Sequence, residues 1–449
     1  MKLLFETEAV LPVEKLVPGG LGLTRLAGEV VLLAGALPGE TLRVGVGGPV
    51  RGVRRGQILE VLDPSPLRVK PDCPAAGRCG GCDFLQAAPA AALGLKSRAA
   101  LGDLADGLGL EIELVESPRR EFYRTRAVAY LGQTVEGRWA AGFYDARREV
   151  VDITGCRLLA PELLTPLPPL AAWANGRPEA AAGLAGAEIS LMKGLGESEL
   201  MIVISPAPEA KSRGRRKRPA LPAAALAELP SFLAAEDLAG AGLYYRPGPG
   251  APPRRLSPGG PSRLTALSWP ELDLTLTVAP GGFTQVNPAV NRLMLEKIVE
   301  LAGPPSPKGA LDLYSGLGNI ALPLLKSGWA VTAVEDSPEG AASARRNGRD
   351  LPDFTVLEER SEKAVLELVR QGRNFDLIVL DPPRAGARDL APQLAALRPR
   401  TIIYVACHPA VLARDLPAFT SLGYRTRRLL ALDMFPRTSH LEALAVLTG

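Results

Sequence analysis

The chain has five cysteines, and their spacing divides them four and one. Cys73, Cys79 and Cys82 crowd into Cys-Pro-Ala-Ala-Gly-Arg-Cys-Gly-Gly-Cys, and Cys156 stands alone further on. Cys407 lies far away in Tyr404-Val-Ala-Cys-His-Pro409, directly after an apolar run. Four thiolates are a complete ligand set for an iron–sulfur cluster or a zinc ion. A lone cysteine is as often a small buried hydrophobe as a reactive group. Here the following His-Pro forces a turn that lifts the thiol out of the strand, where it is placed like a nucleophile. A metal centre plus a catalytic thiol is the first chemistry these residues suggest.

A second set of chemistry-bearing residues sits at the ends of apolar runs near the C-terminus. Asp312-Leu-Tyr-Ser-Gly-Leu-Gly-Asn319 is a glycine-containing turn in which Gly316 and Gly318 allow a ligand close to the backbone. Glu335 ends the next apolar run, about 20 residues on, where a carboxylate suits a ribose diol. The pair points to a nucleoside cofactor, with NAD as a competing ligand. Asp381-Pro-Pro-Arg offers a carboxylate on a stiff platform. Glu442 is flanked by apolar residues in His-Leu-Glu-Ala-Leu-Ala-Val-Leu, so desolvation could poise it as a base. His408 and His440 are the only histidines, and neither carries an assigned role. A Cys–His hydrolase lacks an evident oxyanion hole and would leave the nucleoside pocket idle.

The elements that must hold these residues fall into three segments. Residues 1–65 alternate short apolar strands with glycine turns and predict a small β-barrel. Arg51, Arg54 and Arg55 in it suit either RNA phosphates or a charged sheet edge. Residues 66–280 hold the cysteine cluster, an Ala/Leu-rich helix over about 93–110 that could pack on the last domain, and a further β-rich unit over 111–280. Two inserts interrupt that unit: Lys211–Arg218, with six basic residues in eight, and 246–263, rich in Pro, Gly and Arg. Residues 281–449 alternate strand and helix, the pattern of a doubly wound parallel sheet with ligands beyond the carboxyl ends of its strands.

A length of 449 residues suits two to four domains, and 47% hydrophobic with 22% charged residues is ordinary for a globular protein. A net charge of +4 confines any nucleic-acid surface to a local patch. The N-terminus does not read as a signal peptide, and no apolar run reaches the ~20 residues of a membrane helix. A cytoplasmic enzyme is expected, in a compartment where clustered cysteines hold metal more often than they form disulfides.

Taken in order, Asp312-Leu-Tyr-Ser-Gly-Leu-Gly, Asp381-Pro-Pro-Arg, Tyr404-Val-Ala-Cys-His-Pro and Phe435-Pro-Arg-Thr-Ser-His-Leu-Glu442 resemble the motifs of the 23S rRNA (uracil-5-)-methyltransferases of the TRAM-domain, iron–sulfur class. The resemblance runs over essentially the whole chain. It implies an N-terminal OB-like TRAM barrel over 1–65, a central α+β domain over 66–280 with the cluster, and a Rossmann-like methyltransferase domain over 281–449. Gln285, in Phe283-Thr-Gln-Val-Asn287, together with Tyr314, Gly316, Asn319, Glu335 and Asp381, would contact S-adenosylmethionine. Cys73, Cys79, Cys82 and Cys156 would hold a 4Fe-4S cluster, with zinc as the alternative ligand of four thiolates. Family members usually have Ser-Cys-Asn where this chain has Ala406-Cys407-His408. The implied chemistry is addition of the Cys407 thiolate to C6 of a flipped uracil, methylation at C5, and removal of the C5 proton by Glu442. Arg124 and Arg126 are candidate RNA contacts, weighed evenly against surface charge. The expected partner is RNA, 23S rRNA ahead of tRNA, with no membrane and no obligate protein partner; a non-catalytic RNA-binding assembly factor is the reading from another class.

Overall fold

The computed structural model describes residues 5–196, 198–206, 221–234, 238, 240–248 and 251–449. The basic run 211–218 lies outside the described residues, as do positions 249 and 250 of the second insert.

Four-residue runs such as Leu377-Ile-Val-Leu are buried at every position, because both faces of the C-terminal sheet are covered. This eight-stranded sheet runs Phe354–Glu358, Val331–Glu335, Ala310–Leu313, Leu377–Leu380, Thr401–Ala406, Glu442–Thr448, Arg425–Leu432, Ile112–Val115. The first five strands are parallel, and Glu442–Thr448 lies antiparallel against Thr401–Ala406. Strand order reverses between Ala310–Leu313 and Leu377–Leu380, the switch point where such sheets open a crevice. Helix starts follow local chemistry. Asn287 caps Pro288–Ala302 by accepting from the Val290 amide at 3.3 Å, and Ser337 caps Pro338–Asn347 by accepting from Gly340.

Strand Ile112–Val115 corrects one expectation. It belongs to no central sheet; it pairs in parallel with Leu429–Leu432 and closes the edge of the C-terminal sheet. The helix expected over 93–110 spans Pro89–Leu108, ends in a left-handed Gly109, and buries Leu93, Leu101 and Ala105 against the same domain. The C-terminal unit therefore draws on residues 89–115 as well.

The central unit is a seven-stranded sheet in the order Val150–Asp152, Trp139–Tyr144, Arg126–Gln133, Glu188–Lys193, Leu200–Ser205, Gly242–Tyr245, Arg254–Arg255. One face packs on short helices, including Leu167–Gly176, around Trp139, Leu163, Trp173 and Ile202. The N-terminal unit is a six-stranded barrel-like sheet over Thr7–Asp63, cored by Val31, Leu33, Leu42, Val44 and Val46. Its Arg54 binds Glu29 at 2.5 Å and Glu6 at 2.8 Å, so that guanidinium is already paired. Among the described residues no helix is long and apolar enough to cross a membrane.

Candidate active site and four-cysteine pocket

The antiparallel register of Thr401–Ala406 against Glu442–Thr448 decides the site. Ala406 faces Ala443. Cys407 follows that strand end directly and Glu442 precedes Ala443, and the two are close enough for the carboxylate to raise the thiol's pKa. Because Glu442 begins an antiparallel strand, it arrives at the same edge where the parallel strands end. Leu313 pairs with both Leu380 and Val334, so Tyr314, Asp381 and Glu335 stand side by side on that edge. The thiol, the base candidate and the candidate cofactor contacts thus come together although they are spread over 285–442 in the sequence.

The carboxylates here are unusually buried. Asp312 is fully buried, and neither carboxyl oxygen has a hydrogen-bond partner. Burial, with Asp381 nearby, holds its pKa well above the ordinary range. Glu442 is 2% exposed, its Oε1 is unpartnered, and burial plus Asp381 likewise hold it well above a normal glutamate. Burial pushes half-buried Asp381 up to about 6. The half-buried Cys407 thiol is raised by burial and then by Glu442 and Asp381, while Arg384 pulls it back down. Arg384, the last residue of Asp381-Pro-Pro-Arg, is the one contributor missed by sequence reasoning that bears on the nucleophile; its motif was the available signal.

A cavity of about 60 Å³ adjoins this row, lined by Gln285, Tyr314, Gly316, Asn319 and Asp381 together with Phe283, Asn291 and Ser315. Glu335 sits behind it. Its two carboxylate oxygens accept from the amides of Gly316 at 2.8 Å and Ser337 at 2.9 Å, which fixes the glycine turn. Tyr314, at φ 63°, and Gly316, at φ 56°, both adopt the left-handed conformation that turn needs. Asn319 and Asn291 exchange paired side-chain hydrogen bonds at 2.9 Å, an unforeseen partner from helix Pro288–Ala302. Asp312 and Ser315 leave three buried polar atoms unsatisfied beside this cavity, and the surrounding charge is negative. A ligand bearing both a cation and hydrogen-bonding groups fits those demands, and S-adenosylmethionine is such a ligand.

Arg124 and Arg126 do not lie on a remote surface. Arg124 is close enough to His440 to lower the imidazole's pKa, behind the larger effect of burial. Arg126 stacks on Phe283, 5.0 Å from the ring centre, beside the cavity that Gln285 and Tyr314 line. His440 packs edge-on against Phe435, whereas His408 is exposed.

The loop Asp433–Leu441 leading to Glu442 is held from several sides. Lys96, 2% exposed on helix Pro89–Leu108, donates to Asp433 Oδ1 at 2.6 Å and to the carbonyls of Phe435, Thr438 and His440 at 3.0–3.4 Å. Asp83, next to Cys82, accepts from Ser439 N and Oγ, both at 2.6 Å. Arg437 binds Asp72 at 2.7 Å and also Glu121, and Arg157 binds the same two carboxylates. Asp72 precedes Cys73 and Arg157 follows Cys156, so the cysteine segments clamp the loop that ends at Glu442.

Cys73, Cys79, Cys82 and Cys156 all line one small, largely apolar cavity of about 50 Å³ beside Phe143 and Ile153. Burial and the other three thiols push Cys82 up to about 12. The donor set fits a thiolate-ligated centre: soft ligands, little water, and mutual repulsion that a cation would relieve. Among the described residues, no group of three or more His, Cys, Asp or Glu side chains is arranged to hold a single metal ion.

Comparison with known proteins follows the same lines. Residues 354–448 match the family model described as tRNA (Uracil-5-)-methyltransferase. The 23S rRNA (uracil(1939)-C(5))-methyltransferase RlmD of Pectobacterium atrosepticum is 31% identical over 447 residues, 97% of this chain and 92% of the relative. That of Edwardsiella ictaluri is 33% identical over 432 residues, 95% and 92% of the two chains. The solved structure of Pyrococcus abyssi tRNA (uracil-54, C5)-methyltransferase in complex with S-adenosyl-L-homocysteine covers 98% of this chain and all of that one, with a TM-score of 0.70 at 24% identity, a likeness of fold.

Proposed function

The chain belongs to the 23S rRNA (uracil-C5)-methyltransferase family, and we propose that it methylates C5 of a uridine in 23S rRNA through a covalent adduct between Cys407 and uracil C6. The observation that carries this reading is the closeness of Cys407 to Glu442 and Asp381 at the joined strand ends, with Asp381 also lining the neighbouring cavity.

Uracil C5 is a weak nucleophile until C6 is saturated. The Cys407 thiolate adds to C6, and the ring electrons move onto C5 and O4 as an enolate. When bound, S-adenosylmethionine would supply a methyl group made electrophilic by its sulfonium; C5 would take that methyl as its bond to sulfur breaks, leaving S-adenosylhomocysteine. Gln285, Tyr314, Asn319, Glu335 and Asp381, with the backbone at Gly316, would hold that cofactor. Glu442 then takes the C5 proton, the electron pair re-forms the C5–C6 double bond, and the Cys407–C6 bond breaks to return the thiolate. A carboxylate with a raised pKa is the stronger base for that step. Arg384, close to Cys407, and Arg124, close to His440, would meet phosphate or the uracil edge, and the target base must leave its stack to reach Cys407. We further propose that Cys73, Cys79, Cys82 and Cys156 hold a 4Fe-4S cluster. It would join two distant cysteine segments, and four soft thiolates are a complete ligand set for such a cluster, with zinc as the alternative. The N-terminal barrel, in this reading, is an RNA-binding module.

Full-length relatives are named for 23S rRNA, whereas the family model covering only 354–448 carries a tRNA description, so rRNA is the preferred substrate. Labelled methyl transfer to unmodified 23S rRNA and tRNA transcripts tests both. Transfer to rRNA is expected. Cys407→Ala should lose about 10⁴-fold or more; near-normal activity in that variant refutes the adduct. Glu442→Gln should lose about 10²–10⁴-fold and accumulate RNA that stays attached through denaturing electrophoresis, because addition proceeds while elimination stalls.

A further inference from the structure

Building on that reading, we infer that the open face of the central sheet is a track for single-stranded RNA, with Tyr130, Tyr144 and Arg148 as its base-stacking station. Side chains alternate across a sheet, so one face of strand Arg126–Gln133 carries Arg126, Val128 and Tyr130. The other carries Ala127, Ala129 and Leu131, which enter the central core. Near Met192, Met201 and Val203 the first face is covered, because those residues pack into the core shared with the C-terminal domain. Around Tyr130 and Tyr144 it stays half-exposed.

What occupies the open part is aromatic and cationic. The two tyrosine rings stack with centres 4.2 Å apart and planes 26° from parallel. Tyr130 pairs across the ladder with Gly142, two residues before Tyr144, so the two rings share one face. Arg148 lies over the Tyr144 ring at 5.2 Å. It sits in a turn where Asp145 Oδ1 accepts from the amides of Arg147 at 2.7 Å and Glu149 at 2.9 Å, which points the arginine back along the sheet. Flat apolar rings beside a guanidinium offer stacking for bases and charge for phosphates, the combination that binds single strands without reading sequence.

The track also has a direction. Arg126 lies on the same strand and face as Tyr130, about 13 Å away at 3.3 Å per residue, at the border of the covered part, where it pairs with Met192. It stacks on Phe283, which is 64% exposed and lines the cofactor cavity. An RNA strand whose uridine enters at Cys407 can pass Phe283 and Arg126 and continue to the tyrosine pair. There a base takes the place of the Arg148 guanidinium against Tyr144, and the guanidinium turns to a phosphate.

The test uses the full-length, metal-loaded protein. Binding of a labelled single-stranded oligoribonucleotide with one uridine among adenosines is measured by anisotropy, beside methyl transfer to 23S rRNA. The Tyr130→Leu/Tyr144→Leu protein should bind the oligonucleotide about 10- to 100-fold more weakly and raise KM with little change in kcat. Tyr→Phe at both positions should restore binding, because the rings suffice. Arg148→Gln should reduce the salt dependence of binding by about one phosphate contact. A leucine double variant with wild-type affinity and KM overturns the track while leaving the methyltransferase reading intact. So does a loss that the phenylalanine variant fails to restore, since that would mark a purely structural pair. Absence of methyl transfer by the wild-type protein, by contrast, defeats the functional reading itself.

Discussion

The two thiol sites use one functional group in opposite settings. At Cys73, Cys79, Cys82 and Cys156 the groups that resist ionisation, besides burial, are the other thiols, which raise both Cys79 and Cys82. They cannot relieve one another, and only a bound cation makes all four thiolates stable together. At Cys407 the resisting groups are Glu442 and Asp381, opposed by Arg384. Carboxylates can be neutralised by a proton or by a cationic ligand, so this thiol's reactivity depends on what fills the pocket. In the function proposed above, one site commits its sulfur permanently to structure, and the other holds it conditionally for chemistry.

Exchanging one thiol in each site separates these uses most sharply. Cys82→Ala should lose the metal centre and, with it, the anchoring of the Asp83–Ser439 contact. Iron and zinc content, the visible spectrum and thermal unfolding would all register the change, with a stability loss of several kcal/mol, on the order of what structural metal sites contribute. Cys407→Ala should keep metal content and unfolding temperature, because a half-buried thiol reduced to a methyl group costs about 1 kcal/mol or less. Equal destabilisation by the two variants would break the comparison.

Much of the conditional site was legible because its signals are local. Each candidate ends or begins an apolar run, and a parallel sheet collects strand ends along one edge, so reading the ends in order found the pocket. The four-cysteine site was legible from ligand type and spacing. What escaped is everything decided by partners distant in sequence. Ile112–Val115 reads as a strand, but its partner lies some 300 residues later, and nothing in four residues announces which sheet they join. Lys96 in an Ala/Leu-rich helix reads as a solvent-facing charge. Its burial follows from Asp433 and three carbonyls on a loop more than 330 residues away. The short helices of the central unit were submerged in strand-like composition. The stacking of Arg126 on Phe283 needed the two domains in contact before it could be seen.

Lys96 links the two regions and so offers a second test. It holds from one side the loop that Asp83, Asp72 and Glu121 hold from the other. Burial lowers its pKa and Asp433 raises it in opposition. Lys96→Met strands Asp433 in a nearly dry site, where losing one member of a buried pair costs about 3–5 kcal/mol. Methyl transfer should fall with kcat rather than KM, since the displaced loop carries Glu442 and not the cofactor cavity. Lys96→Met with Asp433→Leu should recover most of the stability but not the rate. Recovery of both would mean that the knot serves the fold alone.

The smallest expected effect bears most directly on the conditional thiol, and it is read in pH. Asp381, at about 6, and Glu442 both have folded-state pKa values above their unfolded ones. Their contribution to stability is therefore full at a pH below the ordinary carboxylate range and is lost as pH rises through the folded values. The ligand-free protein should lose on the order of 1–3 kcal/mol from roughly pH 4 to roughly pH 7 through this pocket, seen as a falling unfolding temperature. Asp381→Asn should flatten the slope. A sulfonium ligand should flatten it too, because its positive charge meets the ionised carboxylates, while S-adenosylhomocysteine, with a neutral sulfur, should do so less. The gap between the two ligands should therefore widen with rising pH. If it stays constant, the acidic row does not sense the cofactor's charge. The Cys407 thiol would then be governed by burial and Arg384 alone, and in that respect it would differ less from the clustered thiols than the carboxylates beside it suggest.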